Sequence, residues 1–338
     1  MSVKKSTIID VANLAKVGKT SVSRYLNGDF DALSDSIKER ISHAIKTLDY
    51  RPNQMARSLK RGSSKLIAFV IPDITNPYSI EVMQGLEKAC QDHGYTLLVC
   101  NTNKSSEREQ YYLQLLVSYN VEGVLFHTIK ASANSLKHCP FPMVLIDRRV
   151  KNFNADIVGL DNIQSSTIAT NYLIDAGFEA ILFISEAING ISTRLDRVNT
   201  FKKLIRAHKN RVGKVIEITE DSHDPAYQLS LEQHIDDFCK THRGMRKAIV
   251  SINGSVTLNT VLALKRLNLV CGKDIGFLSF DDPQWAAIIS DGITSIRQPT
   301  YQIGYSAFEL LLSRINGSKA PAQELLYSGE LIIRNSTK

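Results

Sequence analysis

The 338-residue chain reads as an α/β protein with a small, basic, all-α head, a short connecting helix, and a body of doubly wound parallel sheets in two lobes. Three observations predict this. Charge is uneven: residues 1–65 hold 13 Lys+Arg against 6 Asp+Glu, the rest 28 of each, so the whole net charge of +7 lies at one end. Beyond Lys65, apolar runs such as Leu66-Ile-Ala-Phe-Val-Ile71 alternate with amphipathic stretches, as strands buried between helices do. About ten such strands follow, more than one open sheet of this kind comfortably holds, so the body divides in two.

The head comes first. Thr7-Ile-Ile-Asp10 has the form of a capping box with Asp in place of the preferred Glu, and Ile8, Val11, Ala12 and Ala15 follow at helical spacing. Val17-Gly18 turns the chain. A second helix, from about Lys19 to Leu26, puts Val22 and Leu26 on one face and leaves Thr20, Ser21, Ser23 and Arg24 largely on the others; Asn27-Gly28 ends it. A third helix starts from a cap at Ser34 or Asp35, with Ile37, Ile41, Ile45 and Leu48 as its buried stripe. Three short helices with a tight turn between the first two is a helix-turn-helix layout. The plain alternative is a three-helix bundle with a solvated basic face; the charge placement favours duplex DNA as partner. Gly18-Lys19-Thr20 is no phosphate loop, because Asn13 stands where that motif needs Gly.

In Arg51-Pro-Asn-Gln-Met-Ala-Arg-Ser-Leu-Lys-Arg-Gly62, Pro52 disfavours helix at Arg51, Asn53 can cap, and Gly62 stops the run. So short a helix is expected to be coil when free and helical when something packs on it. The expected domains are therefore a head over 1–50, a hinge over 51–64 and a body over 65–338, with lobe 1 at 65–161 plus 293–322 and lobe 2 at 162–292 plus 323–338.

In the body, strands are expected at 66–71, 95–100, 123–127, 143–147, 180–184, 215–218, 248–251 and 275–280, with a last strand-like run at 329–334. Helices are expected at 80–92, about 107–119, 164–176, 197–208, about 225–241 and 255–267. Ligands in such sheets bind beyond the carboxyl ends of strands. There stand Asp73, Asn76 and Tyr78; His127; Asp147, Arg148 and Arg149; Asp161 and Asn162; Asn253; Asp281 and Asp282. Singly, each reads as a loop cap or surface residue; together they mark a polar cleft. Arg194 and Arg197 open a helix, where the dipole disfavours cations, which suggests that they face an anionic or hydroxyl-rich ligand.

Other chemistries find no motif. Cysteines 90, 100, 139, 239 and 271 form no CxxC pair, as expected for free thiols in a reducing compartment. There is no HExxH, no Cys/His cluster, no G-x-S-x-G and no G-x-G-x-x-G, so no metal, cofactor or catalytic site is expected. Met-Ser-Val-Lys-Lys-Ser leads into no apolar stretch, and no run is long enough to span a bilayer, so a cytoplasmic protein with no membrane partner is expected.

Along essentially its whole length the chain resembles the LacI/GalR family of bacterial transcription regulators. The matching residues are Thr7-Ile-Ile-Asp-Val-Ala12, Ser21-Val-Ser-Arg24 with Asn27-Gly28, Tyr50-Arg-Pro-Asn53 with Ala56-Arg-Ser-Leu59, Pro72-Asp-Ile-Thr-Asn-Pro77, Phe280-Asp-Asp282 and Gln298-Pro299. The resemblance implies a homodimer on a palindromic operator, recognition helices in two major grooves, paired hinge helices in the minor groove, and a body like periplasmic sugar-binding proteins. By position it puts Lys19, Thr20 and Arg24 on base edges and Ser21, Ser23, Asn27 and Asn53 on phosphates. Leu59 becomes the wedge that kinks DNA, and Thr7, Ala56 and Lys60 complete the DNA-facing set. In the cleft it puts Arg197, Asn253, Asp281 and Asp161 on the effector; Asp73, Asn76, Tyr78, His127, Arg149 and Arg194 join them as neighbours. The stretch from Trp285 to Pro299 is similar to members that respond to gluconate-type and keto-sugar acids, so a sugar or sugar acid is the expected effector and a repressor the expected role. Three positions depart from the family: Gly18 replaces the Ser that caps the recognition helix, Gly254 an Asp, and Thr200 a Gly. The chain carries no trailing leucine heptad, so a dimer without a tetramer is expected. A solute-binding transport component of the same body fold is the alternative; it would need a secretory signal and no basic head. A sugar-metabolising enzyme would need a catalytic constellation that the sequence lacks.

Overall fold

The computed structural model describes residues 6–51, 63–128, 132–219 and 224–338. The chain divides into two compact units, Met1–Ser64 and Lys65–Lys338. The expected hinge helix falls almost wholly outside the described residues.

In the first unit, α1 (Ile8–Ala15), α2 (Lys19–Leu26) and α3 (Asp35–Thr47) close on Val11, Ala12, Ala15, Val22, Ile41 and Ala44. The Thr7/Asp10 capping box forms, with Thr7 N donating to Asp10 Oδ2 at 2.7 Å. Gly18 caps α2 with no side-chain hydrogen bond. Ser34 takes the cap position of α3, and the α3 stripe is narrower than expected: Ile41 is fully buried, while Ile37, Ile45 and Leu48 are half-buried against it.

The body holds two six-stranded sheets of matching order. The first runs β2 (Thr96–Asn101), β1 (Leu66–Ile71), β3 (Gly123–Phe126), β4 (Met143–Ile146), β5 (Asp156–Leu160), β11 (Glu324–Tyr327). The second runs β7 (Val212–Ile218), β6 (Ala180–Glu186), β8 (Lys247–Ser251), β9 (Gly276–Phe280), β10 (Thr294–Arg297), β12 (Glu330–Ile332). Every pairing is parallel except β10 with β12. Helices α4 (Pro77–Asp92), α5 (Ser106–Ser118), α6 (Ala133–Lys137) and α11 (Thr300–Ile315) belong to lobe 1; α7 (Asn162–Asp175), α8 (Ser192–Ala207), α9 (Pro225–Thr241) and α10 (Gly254–Arg266) belong to lobe 2. Separate apolar cores fill the lobes, one in lobe 2 and one on each face of the lobe 1 sheet.

The lobe boundaries near the C-terminus need correcting. β10 lies in the lobe 2 sheet, pairing Ile296 with Phe280, and Ile296 is buried in the lobe 2 core; the chain crosses after Arg297, not at 293. β11 lies in the lobe 1 sheet, pairing Leu325 with Val158, where Gln323 N donates to Asp156 Oδ1 at 2.9 Å and Arg314 pairs with the same carboxylate; the chain returns after Tyr327, not at 323. Helix α8 starts at Ser192, a turn and a half before the expected 197, and β5, β10, β11, α6 and α11 have no counterpart in the sequence reading. α4 and α11 pack backbone to backbone: a Cβ on Gly304 would stand 2.0 Å from the Val82 carbonyl oxygen.

Candidate functional site

Two surfaces follow from this framework. On the head, Lys19, Thr20, Arg24 and Asn27 are exposed, and Ser21 and Ser23 half-exposed, along α2, so the residues expected to face DNA share one accessible helix. The Arg24 guanidinium is 3.9 Å from Asp29, a loose pairing between exposed groups that leaves it movable. Thr7 is exposed, but its hydroxyl is committed to Asp10 at 2.7 Å; it offers a helix N-terminus to a phosphate and not a free hydroxyl. Asn53, Ala56, Leu59 and Lys60 lie outside the described residues.

In the body, the carboxyl ends of strands from both lobes meet at a cleft lined by Asn76, Tyr78, His127, Asp147, Arg148, Thr193, Arg194, Arg197, Ile252, Asn253, Asp281 and Gln298. Seven of the ten expected effector residues come together here: Asn76, Tyr78, His127, Arg194, Arg197, Asn253 and Asp281. The other three do not line it. Asp73 is tied into its own loop, accepting from Thr75 N at 2.9 Å and pairing with Lys104 at 3.5 Å. Asp161 caps α7, accepting from Gln164 N at 2.9 Å. Arg149 forks onto Glu324 at 2.9 and 3.1 Å and reaches Asp196 at 3.2 Å.

The charged groups and Asn253 on the lobe 2 wall are engaged. Arg197 donates from Nε to Asn162 Oδ1 at 2.7 Å and from Nη1 to the Ile252 carbonyl at 2.5 Å, with its guanidinium carbon 4.3 Å from the Phe280 ring centre. Arg194 donates to the Ala187 carbonyl at 2.7 Å and to Glu186. Asn253 caps α10 and donates to Glu186 at 2.8 Å. Asp281 accepts from Gly254 N at 2.7 Å and from the Gln298 amide. The glycine at 254 thus sets its bare amide against Asp281, where an aspartate side chain would add a second carboxylate. Asp282 turns the other way, to Arg297 and Arg334.

The lobe 1 wall is only partly engaged: Arg148 donates from Nη1 to the Thr128 carbonyl at 3.0 Å, and Asn76 accepts from Tyr78 N at 3.2 Å. Of nine buried side-chain polar atoms without a partner among the described residues, six line this cleft: Tyr78 Oη, both His127 ring nitrogens, Asp147 Oδ1, Arg148 Nε and Gln298 Oε1. His127 stacks edge-on to Tyr78 at 5.6 Å, and burial, followed by the Arg148 and Arg194 charges, holds its ring well below the usual histidine range. Burial lifts the Asp147 carboxyl above its ordinary value against the pull of Arg197 and Arg148. Burial and Arg194 bring Arg148 down to about 10. A buried donor or acceptor without a partner costs roughly 1–3 kcal/mol, so this wall gains from any ligand that completes it. Asp147 and Arg148 stood among the strand-end polar residues but were not assigned to the effector; Thr193, Ile252 and Gln298 were missed. Ile252 offers only backbone, which no side-chain pattern announces, and Gln298 directly follows β10, a four-residue strand whose lobe the sequence misplaced.

Asp147 and Asp281 follow equivalent strands, β4 and β9, and both hold left-handed backbone, φ 65° and 75°. Non-glycine residues persist there where the surroundings fix them, and such positions gather at ligand sites. The space enclosed is about 30 Å³, far below the ~300–1,000 Å³ of ordinary ligand sites. The lobes are bridged at its rim by Lys104–Glu186 at 3.4 Å and Arg149–Asp196 at 3.2 Å. No group of three or more His, Cys, Asp or Glu able to hold a metal is found among the described residues, and no described helix is long and apolar enough to cross a membrane.

A basic helix-turn-helix head followed by a two-lobed α/β body with a polar inter-lobe cleft defines a DNA-binding regulator of transcription. Residues 7–53 match the model of bacterial regulatory proteins of the lacI family, and residues 170–337 match the periplasmic binding protein-like domain. The chain is 40% identical to the HTH-type transcriptional regulator PtxS of Pseudomonas aeruginosa, over 98% of this chain and 95% of that protein. It is 35% identical to the HTH-type transcriptional regulator KdgR of Bacillus subtilis, over 98% and 97%. The lac repressor dimer solved with operator and the anti-inducer ONPF shares the fold, with a TM-score of 0.82 over 99% of both chains at 18% identity. The chain belongs to the LacI family of bacterial transcription regulators.

Proposed function

We propose that the protein is a homodimeric repressor, acting in the cytoplasm, whose affinity for a palindromic operator is set by a sugar or sugar acid bound between its lobes, without turnover of that ligand. The observation that carries the ligand half is the gathering of unpartnered buried polar atoms on Tyr78, His127, Asp147, Arg148 and Gln298. Hydroxyls, each both donor and acceptor, suit this mixed set better than any apolar ligand. The gluconate type is favoured by the Trp285–Pro299 resemblance and by three buried arginines, Arg148, Arg194 and Arg197. A thermal-shift screen of sugars and sugar acids tests this: a ligand of the right class raises the melting point by mass action, and no shift from either class removes the reading.

The DNA half rests on the head's charge. Affinity for duplex DNA should fall steeply as salt rises, because each phosphate contact releases counterions; affinity flat in salt would contradict it. Leu59→Ala should leave the body folded and weaken specific binding alone, since the wedge that stabilises bent DNA is gone.

A further inference from the structure

Glu186 ends β6 in lobe 2, at the mouth of the cleft. Its carboxylate accepts from Asn253 Nδ2 at 2.8 Å and from Arg194 Nη2, while Lys104 reaches it from lobe 1 at 3.4 Å. Arg194 is buried, and its other terminal nitrogen is engaged by the Ala187 carbonyl. A buried guanidinium, an amide N–H and an ammonium converging on one carboxylate are the donors with which a protein receives a ligand's carboxylate. Here the protein's own side chain fills that role. Burial pulls the Glu186 carboxyl upward, but Arg194, Lys104, Asn253 and Arg148 outweigh it and hold it below its ordinary range, so it is ionised at neutral pH.

We propose that Glu186 is an internal competitor for the ligand's acidic group: in the closed cleft it neutralises Arg194 and ties lobe 2 to lobe 1 through Lys104, and an acidic ligand binds by exchanging with it. The proposal rests on the sugar-acid reading and names the residue that sets the charge the cleft accepts. A neutral sugar leaves Glu186 in place. A sugar acid meets its repulsion until the carboxylate is displaced, and displacement releases Lys104 from lobe 2 and leaves it on Asp73 of its own lobe, so the ligand's charge is converted into a change at the inter-lobe bridge. The arrangement also explains why Arg194 cannot be the ligand's free arginine in this state: its charge is already matched.

Glu186→Gln removes the charge and keeps an acceptor for Asn253 and Arg194. The experiment compares wild type with this variant in the full-length protein, by calorimetry with gluconate and with glucose, and by the distance between spin labels on exposed positions of the two lobes without ligand. Gluconate is expected to bind the variant at least about tenfold tighter, because a like charge is gone, glucose to change less than about twofold, and the unliganded lobes to stand farther apart. Parallel loss of both ligands would make Glu186 a direct acceptor for ligand hydroxyls and overturn the proposal, as would gluconate affinity and lobe distance both unchanged. If neither sugar binds either protein, the sugar reading has failed, and the label distance alone decides the bridge: wider lobes support it, unchanged lobes overturn it.

Discussion

The two lobes share one strand order and present an aspartate with left-handed backbone at the same strand end, yet they treat it differently. In lobe 2, Asp281 is held by Gly254 and Gln298, and Arg194, Arg197 and Asn253 are each bonded within the lobe. In lobe 1, Asp147, His127, Tyr78 and Arg148 keep buried polar atoms without partners among the described residues. A duplicated frame therefore delivers two kinds of wall. One is preorganised, so its donors and acceptors are already aimed; the other carries unmet hydrogen bonds whose completion favours a bound ligand. The difference teaches that lobe 2 fixes its polar groups before any ligand arrives, while lobe 1 leaves several of its own to be completed.

Changes on the two walls should then differ in sign for the ligand-free protein. The largest effect is expected from Arg197→Lys. It breaks the fork that joins Asn162 and the Ile252 carbonyl, and should lower the unfolding free energy by about 1–3 kcal/mol and ligand affinity on the order of a hundredfold. Chemical denaturation and calorimetry read both; an unaffected fold would remove lobe 2's claim to be preorganised. Next comes Asp147→Asn on the other wall. The Asp147 carboxyl is raised in the folded state by burial, so the native protein binds its proton more tightly than the unfolded chain does. Its contribution is favourable below the unfolded pKa and is lost as pH rises through the folded value. The variant should therefore gain stability relative to wild type as pH is raised from about 4 through that window. Denaturation curves at several pH values check it, and a variant whose relative stability falls with rising pH would reverse the assignment of the walls. The smallest effect is expected from Arg149→Ala. Its partners Glu324 and Asp196 are partly exposed and screened, so stability should change by less than about 1 kcal/mol, with ligand affinity nearly intact.

Much of this was legible in the sequence where a residue's position on a strand or helix fixes its direction. The continuous apolar strands announced two parallel sheets, and polar residues just past them converged as such sheets require. Reading failed where tertiary pairing decides. Asp73 and Asp161 stand at strand ends as correctly as Asn76 does, but Thr75 and the α7 amides claim their carboxylates first. Arg149 is drawn to the rim by Glu324, which reaches it only because β11 stays in lobe 1. That placement, like the placement of β10, rests on strands of four residues, too short for any periodicity to assign. Glu186 escaped notice because it is an ordinary strand-terminal acid until Arg194, Asn253 and Lys104 arrive from three other elements.

The most direct test of unequal walls is Tyr78→Phe, measured as melting temperature with and without ligand. Tyr78 is buried and its hydroxyl has no partner among the described residues, so its removal should leave the ligand-free melting point unchanged or higher and should cost about tenfold in ligand affinity. A ligand-free melting point that drops by several degrees, with the ligand-induced shift preserved, would show that the hydroxyl supports the fold and not the ligand, and would contradict the account.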